Sequence, residues 1–453
     1  MPKTFVDPSE TIGSRQVGIR IGNTLDEARE SIGEIIRAPT TITEPGNYIL
    51  GNDINGTIVI AEENVWLNLN GYTIFESTGT STGIVINAGA RDITIINGNI
   101  DGNQFPSAEG AIGILINEAE LVNIENVYIL DFPKGTGISI NGKDSTFPVK
   151  GCNIKNCIVS NCHTGIVANH IVNSTFENVE IKDGFKGGID IYKGYFNFFY
   201  LCKALNIYDT TDEVEGAFGF RITGYSSNNL FKECIARYIM KSEGEYASAI
   251  GFYLGANSNE IVNCTASAIG GKVSAIGIFA EYKCIIRNNI VQGLAGKKNA
   301  HGIYAKGSCK LEHNTVSEIP YQIRTRQRSI HPIPDPVVIA DGPEKAYGIY
   351  LFKGNNIIRN NIISHINWQT PTGTGGEAYG IYAETDNVSP NVFDGNTISN
   401  IWKDGSIGIK HGNRDVFIRN ISFNNDSDFD PAPSLLFNLS GGGAPVPYAN
   451  LYR

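Results

Sequence analysis

The chain has 453 residues and a formal charge of -10, which weighs against nucleic acid as a partner because such binding wants a basic face. Apolar residues make up 41%, enough for a packed core. No stretch approaches the roughly 18 consecutive apolar residues of a membrane-spanning helix, so membrane insertion is not expected.

The opening, MPKTFVDPSETIGSRQ, is polar and lacks the apolar centre of a secretory signal. The settings this implies are a virion, a cell surface reached by another route, or the cytoplasm. Residues Thr24 to Arg37 read as an amphipathic helix. Thr24 and Glu27 have capping-box spacing, and Leu25, Ala28, Ile32 and Ile35 share one face. Residues 1–40 are therefore expected to form an N-terminal cap.

From Gly83 onward a glycine followed by Ile or Phe opens a short strand pattern again and again. The glycines are Gly83, Gly113, Gly137, Gly165, Gly188, Gly219, Gly251, Gly277, Gly302, Gly348, Gly380 and Gly408. A repeat of this length means stacked coils or propeller blades. Alternation with period two follows each doublet, and a second apolar strand comes roughly ten residues later, with Asn, Gly, Asp or Ser turns between. No helical period intervenes, and the Trp-Asp signature of a common propeller blade is missing. The expected fold is all-β: a single right-handed parallel β-helix of about twelve to fourteen coils over residues 41–425, with an N-terminal capping helix and a C-terminal capping tail.

Asparagines recur near the second strand at Asn126, Asn178, Asn263, Asn289, Asn314, Asn361, Asn396 and Asn420. They are expected to form a structural ladder, since Asn tolerates turn geometry and its amide can bond the next coil.

If the Ile of each doublet points inward, the residue two after the glycine points outward. Down the chain, that position holds Val85, Leu115, Ser139, Val167, Asp190, Arg221, Tyr253, Phe279, Tyr304, Tyr350, Tyr382 and Lys410. Five consecutive coils thus present the aromatics Tyr253, Phe279, Tyr304, Tyr350 and Tyr382, a ribbon roughly 20 Å long at the strand spacing. Such a stripe could pack under a loop, form a subunit interface as in a side-by-side homotrimer, or serve as a platform for sugar rings.

Acidic residues stand before several doublets, at Glu109, Glu215, Glu245, Glu344 and Glu377. With Asp190, Asp212, Glu213 and Arg221 they make a carboxylate-rich neighbourhood. Two carboxylates on nearby coils can meet the spacing of glycoside hydrolysis, so Asp190, Glu215 and Arg221 are the catalytic candidates if the protein is an enzyme. Calcium is expected only in a lyase; otherwise no cofactor is.

The 46 residues after Gly302 hold a long insertion, 320–346, whose Arg324, Arg326, Arg328 and His331 make it basic. It is either a solvated loop or an anion-recognising one. Cys202, Cys234 and Cys264 fall at one coil position, and Cys284 and Cys309 at another; all are expected to be reduced and buried. Cys152, Cys157, Cys162 and His163 cluster more closely, but spacings of five are not those of a zinc site, and no metal site is expected. After Asp426 the strand pattern fades into a Pro- and Gly-rich tail, 426–453, expected to cover the last coil, the alternative being an oligomerisation or anchoring tail.

This repeat resembles the right-handed parallel β-helix of the pectate-lyase-like superfamily. The segment Pro45 to Ile74 is similar to the first coils of the periplasmic copper-site-maturation subgroup. That superfamily includes lyases, hydrolases, epimerases and phage tailspikes, so the resemblance implies the fold and leaves the activity open. The paired aspartates and Arg-x-Lys signature of the polygalacturonases are missing, and the His411-Gly412 pair stands without those partners. No catalytic residue is carried over. The expected function is a non-catalytic surface or virion-type protein that recognises a glycan or a protein partner through the aromatic face. The alternatives are a polysaccharide lyase or glycoside hydrolase, and a purely architectural protein that forms oligomers.

Overall fold

A side chain cannot be added at the repeated glycines, and that fixes the coil. In the computed structural model a Cβ at Gly348 would lie 2.4 Å from Ile363 Cγ2 and 2.5 Å from the carbonyl oxygen of Gly380. At Gly302 it would lie 2.3 Å from Val316 Cγ1 and 2.4 Å from the carbonyl oxygen of Gly348. Each glycine from Gly83 to Gly380 meets the carbonyl of the next one in this way, so the twelve form one stacked file. Their regular recurrence is a packing requirement of neighbouring coils.

The structure describes residues 33–75, 82–102, 110–210, 216–242, 248–319, 344–367, 377–384, 389–402, 406–412, 414–423, 425, 427–430 and 450–452. Among them there is no helix, and none of their elements is long and apolar enough to cross a membrane as one. Every strand pair is parallel, and a strand bonds the equivalent strand one coil on. One coil reads Ser248–Leu254, Glu260–Val262, Thr265–Gly271; the next reads Ser274–Tyr282, Ile285–Arg287, Ile290–Gly296. These pair in register, first with first, second with second and third with third. The file of first strands runs from Thr40–Ile42 through fifteen rungs to Ser427–Asp430. The glycine count misses two rungs at the start and one at the end, where the chain stacks without the doublet.

The core fills the inside of the coil. Ile278, Ile286, Val291, Ile303 and Ile349 are fully buried, and Phe176, Phe199 and Phe231 stack at 4.7 and 4.4 Å between centroids. Two files of polar side chains run through this interior. Asn289, Asn314, Asn361, Asn396 and Asn420 form one, each amide oxygen from Asn314 on accepting both the backbone N–H and the side-chain N–H of the asparagine one coil before. Asn197, Asn229 and Asn259 begin the other, which resumes at Asn356 and Asn391. The expected ladder is therefore present, but Asn126, Asn178 and Asn263 are not in it. They lie exposed one residue earlier in their coils, at positive φ, because the turn itself also favours asparagine.

All eight cysteines are free and buried. Cys264 Sγ takes the place of an asparagine oxygen, accepting the Cys234 N–H at 3.3 Å, and its own N–H is given to Asn289. Burial pushes the thiols of Cys152 and Cys162 up to about 12, so they are inert packing groups. One charged pair is wholly enclosed: Lys241 Nζ lies 2.7 Å from Asp209 Oδ2, with both side chains fully buried.

The ends depart from expectation. Glu34–Ile36, the last turn of the expected capping helix, is a strand paired with Gly46–Leu50. An open strand edge offers a row of unpaired backbone groups, and a strand satisfies them where a helix cannot. Residues 24–32 lie outside the described residues. At the other end Ser427–Asp430 continues the first file and Asn450–Tyr452 pairs with Asn420–Ser422, so strands run past the expected boundary at 425. The basic stretch of the long insertion, 320–343, and Glu109, Asp212, Glu213, Glu215 and Glu245 all lie outside the described residues.

Candidate functional site

The file of outward residues stacks in the expected order. Asp190 is in register with Arg221, then Tyr253, Phe279, Tyr304, Tyr350, Tyr382 and Lys410. Ring centroids are 4.6 Å apart from Tyr253 to Phe279, 5.1 Å to Tyr304, 4.9 Å to Tyr350 and 5.3 Å to Tyr382. The rings lie nearly parallel, so each covers its neighbour's face. Phe279 is only 8% exposed, and the four tyrosines are half-buried. What this file turns to solvent is ring edges and hydroxyls.

A second outward file stands beside it: Phe218, Ile250, Ile276, His301, Tyr347, Tyr379 and Ile407. His301 stacks on Tyr347 at 4.8 Å, and Tyr347 on Tyr379 at 5.4 Å. The two files meet edge to face. His301 approaches Tyr304 at 5.4 Å and Tyr350 at 5.2 Å; Tyr347 approaches Tyr350 at 5.0 Å; Tyr379 approaches Tyr382 at 4.9 Å. The outside of the coil thus carries an aromatic corner two rings wide, whose second file is buried, Tyr347 and Tyr379 being 5% exposed.

Strict alternation misses the second file. It places residue 347 inward, two positions before the inward Ile349. Gly348 and Ile349 both face the core, the one beneath Ile363 and the other fully buried. That double step reverses the alternation and throws Tyr347 outward beside Tyr350. The signal was present as HGIY at 301–304 and YGIY at 347–350 and 379–382.

Charges line this corner in pairs. Arg221 clasps Asp190 with two bonds of 2.9 and 2.6 Å and lies 4.2 Å over the Phe218 ring. Lys306 bonds Glu281 at 2.5 Å, which raises the lysine's pKa. Lys345 meets Glu377 at 3.0 Å and, as the largest cause, lowers that carboxyl's pKa. Tyr379 donates to Glu377 at 2.9 Å, and Tyr350 donates to Glu384. Lys410 closes the C-terminal end, over Tyr379 and Tyr382. Burial raises the phenol pKa of Tyr253, Tyr304, Tyr347, Tyr350 and Tyr379, so these hydroxyls stay protonated and able to donate.

Of the three catalytic candidates, Asp190 and Arg221 are brought together and bonded to each other, and Glu215 lies outside the described residues. Among the described residues no group of three or more His, Cys, Asp or Glu is arranged to hold a metal ion.

Residues 82–272 match the protein family described as "Right handed beta helix region". The match agrees with the parallel coil stacking described above and gives residues 82–272 the right-handed hand of that fold. No curated protein matches it. Among solved structures it is similar to a double mutant of the periplasmic alginate epimerase AlgG, at 11% identity, covering 80% of this chain and 74% of that one with a TM-score of 0.41. The A-module of the mannuronan C-5 epimerase AlgE4 from Azotobacter vinelandii matches at 13% identity, 84% and 90% coverage and a TM-score of 0.40. The Dettilon tailspike protein matches at 13% identity, 83% and 59% coverage and a TM-score of 0.34. At such scores substrate and chemistry rest on this chain's own residues.

Proposed function

We propose that this protein is a non-catalytic β-helix that binds a polysaccharide along the aromatic corner between Tyr253 and Tyr382. The observation that carries the reading is the way the rings are stacked. A platform for flat sugar contact needs open ring faces, and here neighbouring rings occupy those faces. A protein partner would seek the same apolar faces. What remains is a periodic row of hydroxyls and ring edges, one rung after another, flanked by paired charges. That array suits a hydrated polymer bearing hydroxyls, since the phenols of Tyr253, Tyr304 and Tyr382 can donate and accept, and that of Tyr350, whose hydrogen goes to Glu384, can accept.

Chemistry by the Asp190 carboxylate is disfavoured by its commitment to Arg221, whose guanidinium bonds both of its oxygens. The test is native electrophoresis of the full chain through gels containing a panel of neutral and uronic-acid polysaccharides. At least one polymer should retard the protein. The double variant Tyr304→Ala, Tyr350→Ala should migrate freely while remaining folded by circular dichroism. Equal retardation of that variant would sink the proposal. So would turnover, seen as new reducing ends or unsaturated uronates, that disappears in Asp190→Asn.

A further inference from the structure

The imidazole of His301 stands at the centre of the corner and is 7% exposed. Its ring stacks on Tyr347 and meets the rings of Tyr304 and Tyr350, and its buried Nδ1 has no hydrogen-bond partner among the described residues. A buried polar atom left without a partner costs free energy that the fold recovers only when something bonds it. The orphan nitrogen therefore marks a place where a ligand group completes the structure.

Resting on the polysaccharide reading, we infer that the junction of His301, Tyr304, Tyr350 and Glu384 is a subsite for one uncharged sugar residue, held by its hydroxyls. Three observations choose a neutral sugar over a uronate. First, burial lowers the His301 pKa to about 3, so the ring offers no positive charge at neutral pH. Second, among the described residues the nearby cations are already committed: Lys306 to Glu281, Lys345 to Glu377 and Arg221 to Asp190, while Lys410 lies over rings at the far end. Third, Glu384 accepts from Tyr350 and has no cation among the described residues, so a second carboxylate here would meet like charge. A sugar hydroxyl suits either tautomer of the imidazole, because it can donate to a bare Nδ1 or accept from a protonated one.

The test uses the full chain in the same polymer-containing gels. The best-retained polymer should be neutral, with polygalacturonate and alginate retained at least tenfold more weakly. His301→Phe keeps the ring stack and removes the nitrogen, and should weaken retention about tenfold. Tyr304→Phe, which removes only a hydroxyl, should weaken it severalfold and decides the matter if His301→Phe does not fold. Glu384→Gln should narrow the gap between neutral and uronic polymers. A uronate as the best-retained polymer would overturn the inference. So would a folded His301→Phe, or failing that Tyr304→Phe, retained like the parent protein. If the polymer is lost on Tyr304→Ala with Tyr350→Ala yet ignores His301→Phe, the groove stands and this subsite falls. If no polymer is retained in any gel, both fall together.

Discussion

Two ladders climb this coil at the same spacing, and they obey different constraints. The asparagine file from Asn289 to Asn420 lies in the core, fully enclosed, and each amide bonds its neighbours above and below. The aromatic file from Tyr253 to Tyr382 lies on the outside, at a position where earlier coils carry Val85, Leu115, Ser139 and Val167 without loss of register. The inner ladder is dictated by backbone groups that water cannot reach. The outer one is not required by the coil, which forms equally well around small side chains. A costly feature that the fold does not need is the better guide to function.

That contrast can be broken at its inner side first. Lys241→Met should cost about 3–5 kcal/mol in denaturant unfolding, because it strips the buried Asp209 of its cation. Adding Asp209→Leu should recover most of that loss; a double variant as unstable as the single one would show that the site needs charge for another reason.

Asn361→Ala should come next. It removes the acceptor of both the Asn314 backbone N–H and side-chain N–H. The expected loss is about 1–3 kcal/mol for each group left unsatisfied. A melting curve superimposable on the parent's would mean that water enters the ladder and that the core is less dry than its burial implies.

The outer ladder should barely respond. Tyr382→Phe removes a hydroxyl that bonds nothing among the described residues and leaves the stack on Tyr350 and the Lys410 contact in place. Its stability should stay within about 0.5 kcal/mol of the parent, the usual range for surface changes. A larger loss would make the aromatic file part of the scaffold and weaken the case for binding there.

The architecture was legible because a coil that stacks on itself must repeat its chemistry. The glycine file, the inward Ile positions, the stacked cysteines and most of the asparagine ladder follow from that periodicity alone. So did the order of Asp190, Arg221 and the five aromatics, since one coil position maps onto one file. Three things were decided only in three dimensions. At the first coil, Glu34–Ile36 has helical spacing by sequence, yet the open strand edge draws it into a sheet. At each glycine, two successive residues face inward, so His301, Tyr347 and Tyr379, which alternation assigns to the core, pack instead on the outside of the coil against the aromatic file. And the faces of the aromatic rings, which the sequence offers to a ligand, are taken by the rings of adjacent coils. Periodicity sets which residues share a file. How their side chains turn, and what each leaves exposed, depends on bends and neighbours supplied by coils tens of residues away.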